Sequence, residues 1–347
     1  MTRPSIVVLR ALGLGDLLTG VPALRALRSA FPGADITLAA PSVLAPLAAL
    51  SGAVDGVADV ALPLRPLRPP DDTGPPRWAA LPPALHGADI AVNLHGRGPE
   101  STMLLIAARP RRLISFAHPC LPPTSGLPRW RADEHEVARW CRLLTETGIP
   151  ADPGRLELAP PSVPSPLRGA LIIHPGAASG ARRWPPGRWA AVACALRDTG
   201  LPVAVTGAPK ERALAAEVSR LAGLPERSVL AGRTSLAGLA ALTASAALVL
   251  SGDTGMAHLA AAYSRPAVTL AGPVPPRLWG PPPRPWHRVL WAGRPGDPHA
   301  AEPDPGLLEL GPGDVIAAAR EVLTAARGRA GVRPTARAGS HRPGSRA

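Results

Sequence analysis

Two glycines and an aspartate follow the first apolar run of the chain. Residues 5–10 have the character of a buried strand, and Gly13, Gly15 and Asp16 come between them and a stretch with helical spacing. Glycines at this place permit a tight turn, although the spacing is neither the dinucleotide-binding pattern nor a P-loop. Two roles fit Asp16: it caps the helix that follows, or it takes a proton from a substrate hydroxyl.

A second group of polar residues follows another apolar run, at residues 246–250. Asp253 is predicted to cap a helix whose first turn contains Thr254 and Gly255. The free N–H groups and the positive dipole end of such a turn attract phosphate, which the glycine lets approach the backbone closely. His258 lies one helical turn beyond Thr254, either as part of this site or as a histidine satisfied within the fold. Together these residues predict a diphosphate site.

Two further segments place charged residues after predicted strands. His174-Pro-Gly ends one strand, and the loop after it leads to Arg182 and Arg183. Arginine binds phosphate through two N–H groups, although a solvated surface role also fits each arginine alone. Glu211 follows the next strand, where an acidic residue either holds ribose hydroxyls or stabilises the first turn of a helix. These segments predict recognition of anion and ribose in the second half of the chain.

Short apolar runs alternate with helix-length stretches along the chain, which is the pattern of parallel α/β units. In the first half the spacing predicts strands at 5–10, 35–40, 57–61, 88–93 and 111–116 and helices at 17–30, 42–51, 99–108 and 133–147. In the second half it predicts strands at 170–174, 202–206, 228–230, 246–251, 266–271 and 288–291 and helices at 187–199, 209–222, 235–244, 254–263 and 312–327.

The proline-rich stretch 150–168 separates the two series. We therefore predict a Rossmann-like domain at 1–158, a linker at 159–168, a second Rossmann-like domain at 169–327 and a disordered basic tail at 328–347. The fold class is α/β, with two facing, doubly wound domains and a central cleft at the carboxyl ends of the strands. A candidate base in one domain and anion recognition in the other are typical of a two-domain nucleotide-sugar transferase.

Three segments resemble the signature blocks of glycosyltransferase family 9, the bacterial lipopolysaccharide heptosyltransferases. Residues 6–36 resemble its amino-terminal block of strand, Leu-Gly-Asp, helix and Phe-Pro-x-Ala. Residues 174–190 resemble its His-Pro-Gly…Lys-x-Trp-Pro segment, and residues 251–281 its Asp-Thr-Gly-x-x-His block with the following Gly-Pro and Trp-Gly-Pro. The three blocks occur in the family's order.

The resemblance implies a GT-B fold and inverting transfer of a heptose from an ADP-activated donor. By position, Asp16 matches the family's general base, in the first-domain loop that also contains Gly13 and Gly15. Arg182 stands where the family usually has a diphosphate-binding lysine. The remaining matches are the ribose-contacting acid at Glu211 and the phosphate-binding block at Asp253, Thr254, Gly255 and His258.

The chain is strongly basic, with a formal net charge of +13, but six of its arginines lie in residues 327–347. A basic body suits a phosphorylated substrate, and it also allows peripheral contact with the anionic inner face of the plasma membrane. No nucleic acid is expected as a partner, because no recognition motif accompanies the charge. The three cysteines are far apart and exclude a disulfide framework or a zinc spacing. The uncharged stretch 234–252 contains five Ser/Thr residues, which favours a helix and a strand over a membrane span, and the cytoplasm is the expected compartment.

We therefore expect an inverting glycosyltransferase that moves a sugar, heptose by the resemblance, from an ADP-activated donor to a hydroxyl of a glycan or glycolipid. No cofactor is required, and Mg²⁺ at Asp253 stays open. Two other classes stay open as well. One is another GT-B-shaped nucleotide-sugar enzyme, such as an epimerase, and the other is a basic protein that binds nucleic acid or a membrane.

Overall fold

The computed structural model describes residues 3–60 and 82–331. The elements of the first half are β1 (Ser5–Leu9), α1 (Leu14–Ala30), β2 (Asp35–Ala40), α2 (Ala45–Leu50), β3 (Gly56–Asp59), β4 (Ile90–Asn93), α3 (Glu100–Ala107), β5 (Arg112–Ile114) and α4 (Glu136–Glu146). The five strands pair in parallel in the order β3-β2-β1-β4-β5. The central strands β1 and β4 are almost wholly buried, as their continuous apolar sequences require of strands covered on both faces.

A second parallel sheet follows the proline-rich stretch. Its elements are β6 (Leu171–His174), α5 (Pro186–Ala195), β7 (Val203–Val205), α6 (Arg212–Leu221), α7 (Leu236–Ala244), β8 (Leu248–Gly252), α8 (Gly255–Ala262), β9 (Ala267–Leu270), α9 (Pro276–Trp279), β10 (His287–Leu290), α10 (Pro305–Glu309) and α11 (Pro312–Gly331). The strand order is β10-β9-β8-β6-β7, again with parallel pairing throughout. The predicted class of two doubly wound α/β sheets is confirmed.

Each sheet reverses its winding beside its first strand, β1 in one and β6 in the other. Loops diverge at such a point and leave a crevice at the carboxyl ends of the strands, where ligands bind in this fold. The loops concerned follow β1 and β4 in the first sheet and β6 and β8 in the second. Asp16, Arg182 and Asp253 follow three of these four strands.

The two sheets share one hydrophobic cluster, in which Leu17 and Leu24 of α1 are buried with Met256 and Leu259 of α8. Helix α1 packs against both α8 and α4. Because α1 follows β1 and α8 follows β8, their packing brings the carboxyl edges of the two sheets together. A second cluster lies within the second sheet and includes Trp184, just before α5, and Trp189 and Val192 of α5.

Two differences from the predicted elements have local causes. The predicted strand at 228–230 is absent, and Val229 makes only one bridge, to Val205. A 3-10 turn at Glu226–Ser228 immediately precedes this residue, so too little extended chain remains to pair. Helix α11 continues to Gly331, past the predicted domain end at 327. The rest of the predicted basic tail, from 332, lies outside the described residues.

The apolar stretch 234–252 forms α7 and β8, as predicted. None of the helices in the described ranges combines the length and the apolar character that crossing a bilayer requires.

Candidate active site

The loop after β1 leads directly into the first turn of α1. The helix begins at Leu14 with Gly13 as its N-cap residue, so Asp16 is the third residue of the helix and not its N-cap. The Asp16 carboxylate (Oδ2) accepts a hydrogen bond from the Gly13 N–H at 3.1 Å, which stabilises the helix start. Its side chain is still 27% exposed, so contact with a substrate is sterically open.

Burial, the opposite charges of two neighbouring residues and the hydrogen bond from the Gly13 N–H, which lowers the pKa, set the ionisation of Asp16. Burial is the largest influence and raises the pKa of this carboxyl above its ordinary 3.8. The Arg10 guanidinium, with Nη2 at 3.8 Å from Oδ1, lowers the pKa, and the negative charge of Glu136 raises it. A carboxylate with a raised pKa is a better proton acceptor than an ordinary aspartate.

Thr254, and not the predicted Asp253, caps α8. The Thr254 hydroxyl accepts a hydrogen bond from the Met256 N–H at 3.3 Å, and the helix begins at Gly255. The Asp253 N–H instead donates to the Leu270 carbonyl at 2.9 Å. This bond continues the pairing of β8 with β9, so Asp253 is still in extended chain and the cap falls one residue later.

The starts of α1 and α8 are in contact. A Cβ built on Gly255 would lie 2.7 Å from Cγ of Leu14, and a Cβ built on Gly15 would lie 3.3 Å from Cδ2 of His258. A Cβ at position 255 would therefore overlap the Leu14 side chain, and a Cβ at position 15 would fit only after a small shift of its neighbours, so glycine favours this close approach. The structure thus brings the first turn of α1, which contains Asp16, against the helix start that was predicted to bind a diphosphate.

His258 is buried at this contact. Its ring packs edge-to-face against Trp279 with centroids 5.6 Å apart, and its Nε2 has no hydrogen-bond partner among the described residues. Burial, together with the positive charges of His135 and Arg10, lowers the pKa of His258 to about 4. The imidazole is therefore neutral near pH 7, where it can donate a hydrogen bond but adds no positive charge to the site.

Arg182 lies beside the end of β8. The Arg182 carbonyl is 3.0 Å from the position of a Cβ built on Gly252, so the loops after β6 and β8 pack closely. The Arg182 Nε–H donates to the Ser179 hydroxyl at 3.3 Å, and its two Nη groups have no partner within the described ranges. These free N–H groups are available to a bidentate anion such as phosphate.

The buried carboxyl group of Asp253 lowers the stability of the folded protein when it is ionised. Burial raises the pKa of its carboxyl to about 6, although the positive charge of Arg182 opposes this effect. In the unfolded chain the same carboxyl ionises near 3.8. Above about pH 6 the folded protein must therefore hold a buried charge, whereas below pH 4 it holds a neutral acid.

We expect Asp253→Asn to stabilise the protein at neutral pH, because the amide removes this buried charge. The gain is expected to reach roughly 2–3 kcal/mol near pH 8 and to disappear as the pH falls through the window between about 6 and 4. Urea unfolding of both proteins across this window measures the difference. Asp198→Asn, which changes an exposed carboxylate paired with Arg320, is the control that should show no such gain. A wild type that is the more stable protein at pH 8 would contradict this prediction.

Glu211 lies after β7, on the far side of β6 from Asp253. Its carboxylate accepts a hydrogen bond from the Ala208 N–H at 2.7 Å and caps the 3-10 helix Pro209–Glu211. A Cβ built on Gly176 would lie 2.3 Å from the Glu211 carboxyl carbon, so this carboxylate covers the His-Pro-Gly segment. Its charge raises the pKa of His174, which burial lowers more strongly. The helix-stabilising role is confirmed, and the ribose-binding role stays a prediction.

Gly176→Ala tests the ribose role, because the added Cβ must displace the Glu211 carboxylate. We expect affinity for ADP to fall about tenfold, a typical loss for one hydrogen bond to a charged group, with affinity for inorganic diphosphate unchanged. Gly187→Ala is the matched control, since a Cβ there meets no atom within 4 Å. Calorimetry of both ligands measures the effect, and an equal loss for inorganic diphosphate would count against ribose recognition.

Sequence reasoning missed residues whose roles depend on contacts between distant parts of the chain. Arg10, beside Asp16, is one, and the only sequence signal was a charge that ends an apolar strand. His95, after β4, accepts the Ala11 N–H through Nδ1 at 3.1 Å. His135 accepts the N–H of Val137 through Nδ1, so its Nε2–H donates to the Gly280 carbonyl at 3.0 Å and joins α4 to the loop after α9.

Within residues 3–60 and 82–331, no group of three or more His, Cys, Asp or Glu side chains is arranged to hold a metal ion. Cys120, Cys141 and Cys194 are free thiols.

Two facing doubly wound sheets, with a carboxylate on one side of the cleft and a capped helix start and an arginine on the other, define a GT-B-type protein. The chain belongs to glycosyltransferase family 9 (heptosyltransferase), whose model matches residues 129–303. The predicted family is thereby confirmed.

The similarity to individual family members is partial in sequence and extensive in fold. Lipooligosaccharide heptosyltransferase 2 of Haemophilus influenzae is 37% identical over 120 residues, which are 33% of this chain and 34% of that protein. The chain thus spans about a third of the length of this curated relative. The family 9 glycosyltransferase of Veillonella parvula has a similar structure, with a TM-score of 0.72 at 20% identity over 92% of this chain and 97% of that one. The structure of the E. coli ADP-heptose LPS heptosyltransferase II has a TM-score of 0.70 at 21% identity, over 93% of this chain and 99% of that one.

Proposed function

We propose that this chain is an inverting glycosyltransferase that moves heptose from an ADP-activated donor to a hydroxyl of a glycan or glycolipid. The observation that carries the proposal is the contact between the starts of α1 and α8, where Gly15 lies against Gly255 and His258. Asp16 is the next residue after Gly15. A proton acceptor on one side of a cleft and a phosphate-binding helix start on the other are what an inverting transfer needs at its two ends.

The names of the relatives support the choice of donor and acceptor. The E. coli neighbour is an ADP-heptose LPS heptosyltransferase, and the Haemophilus relative is a lipooligosaccharide heptosyltransferase. Both names point to heptose as the sugar and to a glycolipid as the acceptor. In this chain, Arg182 and the start of α8 would bind the diphosphate, and Glu211 the ribose.

The reaction then follows from these positions. The Asp16 carboxylate takes the proton from the acceptor hydroxyl while the hydroxyl oxygen attacks the anomeric carbon from the side opposite the diphosphate. The bond between the anomeric carbon and the diphosphate oxygen breaks, ADP leaves, and the configuration at that carbon inverts. Arg182 and the free N–H groups at the start of α8 stabilise the negative charge that develops on the diphosphate. The neutral His258 is suited to donate a hydrogen bond to the same oxygens.

A glycolipid acceptor would be met at a membrane surface. The basic charge of the chain supports peripheral contact with the anionic inner face of the plasma membrane, and therefore a cytoplasmic enzyme. We do not expect nucleic acid as a partner.

The direct test is transfer from ADP-heptose to lipopolysaccharide that has been truncated before its first heptose, with mass spectrometry of the acceptor and release of ADP as readouts. We expect the acceptor to gain one heptose for each ADP released. Reactions with and without Mg²⁺ are compared, because the Asp253 carboxylate is the candidate ligand for this ion. Interconversion of the donor sugar without transfer would favour an epimerase. Salt-sensitive binding of nucleic acid or vesicles without turnover would favour the basic binding protein.

A further inference from the structure

A buried network of charged side chains, formed by Arg10 and Glu136, lies next to the carboxylate of Asp16. Arg10 ends the apolar run of β1, yet its side chain is fully buried, and the side chain of Glu136 in α4 is only 10% exposed. Burying a guanidinium is costly unless it is paired and hydrogen-bonded. Such an arrangement can contribute less to stability than well-packed apolar side chains, so a buried pair beside a candidate base calls for a functional explanation.

The Arg10 guanidinium makes contact with both the backbone and the carboxylate of Asp16. Its Nε–H donates to the Asp16 carbonyl, and its Nη2 lies 3.8 Å from the Asp16 Oδ1. Nη2 also donates to the Thr19 hydroxyl at 2.8 Å, and this hydroxyl in turn donates to the Asp16 carbonyl at 3.0 Å. Nη1 donates to the Leu94 carbonyl after β4. The planar guanidinium therefore ties the first turn of α1 to the ends of two central strands.

Glu136 holds Arg10 in this orientation. Its Oε1 accepts from Arg10 Nη2 at 3.2 Å and from the Trp140 indole N–H at 2.8 Å, and its Oε2 pairs with Arg139. The Arg10 guanidinium also lies over the Trp140 ring, 5.0 Å from its centroid. The Arg10–Glu136 contact joins residues 126 positions apart. It makes the position of Asp16 depend on α4.

We propose that Arg10, held by Glu136, is a positioning residue that orients the Asp16 carboxylate for proton abstraction. This inference rests on the proposed function, in which Asp16 is the base. Arg10 and Glu136 are the two charged side chains that shift the pKa of Asp16, and the other titratable groups nearby are neutral or paired. His258 of α8 and His95 after β4 both have a pKa of about 4 and are neutral near pH 7, and Arg139 is paired with Glu136.

The two partners act on Asp16 in opposite directions, which makes the inference testable. The positive charge of Arg10 lowers the pKa of Asp16, and the negative charge of Glu136 raises it. Arg10→Met is therefore expected to raise this pKa, and Glu136→Gln to lower it. A purely structural role would give loss of stability in both variants and no opposite shifts.

Carbon-13 NMR of protein labelled at the aspartate carboxyl carbons measures the pKa of Asp16 without the need for turnover. Asp16→Asn identifies the resonance. For Arg10→Met we expect a rise of about one pH unit or more, since a nearby opposite charge typically shifts a carboxyl pKa by this much. The acid limb of the pH profile of kcat/KM is expected to move in the same direction, because the base must be ionised. Arg142→Met is the matched control: Arg142 is a largely buried arginine of α4, the helix that contains Glu136, and it pairs with Glu134 and Glu146 instead of Asp16.

Arg10→Lys keeps the positive charge but lacks the planar guanidinium with its paired N–H donors. This variant replaces Arg10→Met in the test if the methionine variant does not fold. We expect it to lower kcat at an almost unchanged pKa of Asp16, because orientation is lost while charge is kept. Wild-type kcat in this variant, or an unchanged Asp16 pKa in folded Arg10→Met, would overturn the inference. In either case an inactive Asp16→Asn would leave the proposed function standing. Full activity of Asp16→Asn would instead remove Asp16 as the base and overturn the positioning role with it.

Discussion

Asp16→Asn is expected to reduce the turnover of heptose transfer by about 10²–10⁴-fold, the usual contribution of a general base. Asparagine keeps an oxygen that can accept the Gly13 N–H bond, so the helix start should survive. The affinity for ADP should change little, since the predicted diphosphate and ribose contacts come from the second sheet. Turnover with saturating donor and calorimetry with ADP measure the two quantities separately.

Asp314→Asn separates the loss of a base from the loss of a helix-stabilising carboxylate. Asp314 accepts the Gly311 N–H at 2.8 Å at the start of α11, which is the same local arrangement as Gly13 and Asp16. It lies in a different helix, so this variant should keep full turnover. Parallel loss of turnover and of ADP affinity in Asp16→Asn would show that the substitution disturbs the fold of the site, and Asp16 would no longer be supported as the base.

Arg182→Ala is expected to have the second large effect, because it removes a guanidinium near Asp253 whose Nη groups have no hydrogen-bond partner in the described part of the chain. Loss of a charge-assisted hydrogen bond should weaken ADP binding by about 10–100-fold. Loss of a group that stabilises the leaving diphosphate should lower kcat by a further factor of about 10²–10³. Arg182→Lys should restore much of both, since it keeps the charge and is the residue that the family usually has at this position.

Arg183→Ala is the neighbouring control. Arg183 is exposed, and its guanidinium donates to the Ala177 carbonyl at 3.0 and 2.9 Å. Its removal should therefore disturb the loop slightly. It should reduce ADP affinity and kcat much less than Arg182→Ala does. Equal effects of the two alanine variants, measured by calorimetry and by kcat, would mean that Arg182 has no specific role at the diphosphate.

The order of the elements was predictable because the inner strands of both parallel sheets are buried on two faces, so that each of them is a short apolar run bounded by loop residues. The candidate site was predictable for a related reason. In doubly wound sheets, ligands bind at the carboxyl ends of the strands. Polar residues in the loop or helix start after a strand, such as Asp16 and Asp253, therefore stand out from the sequence alone.

The remaining features depend on contacts that no local pattern contains. Sequence preferences place a helix cap only to within a residue. The Asp253 N–H donates to the Leu270 carbonyl of β9, so Asp253 remains in extended chain and Thr254 is the cap. The network of Arg10 and Glu136 joins residues far apart in the chain and required the packing of α1 against α4. The contact of Gly15 with His258 required the two sheets to face each other.

Calorimetric titration of the purified protein with ADP, UDP and GDP at moderate salt tests the proposed donor site most directly. The proposal predicts selective binding of ADP that is lost in Arg182→Ala and weakened in Thr254→Ala. Preference for UDP or GDP would contradict an ADP-activated donor. Absence of binding for all three nucleotides would contradict a nucleotide-sugar site in this cleft.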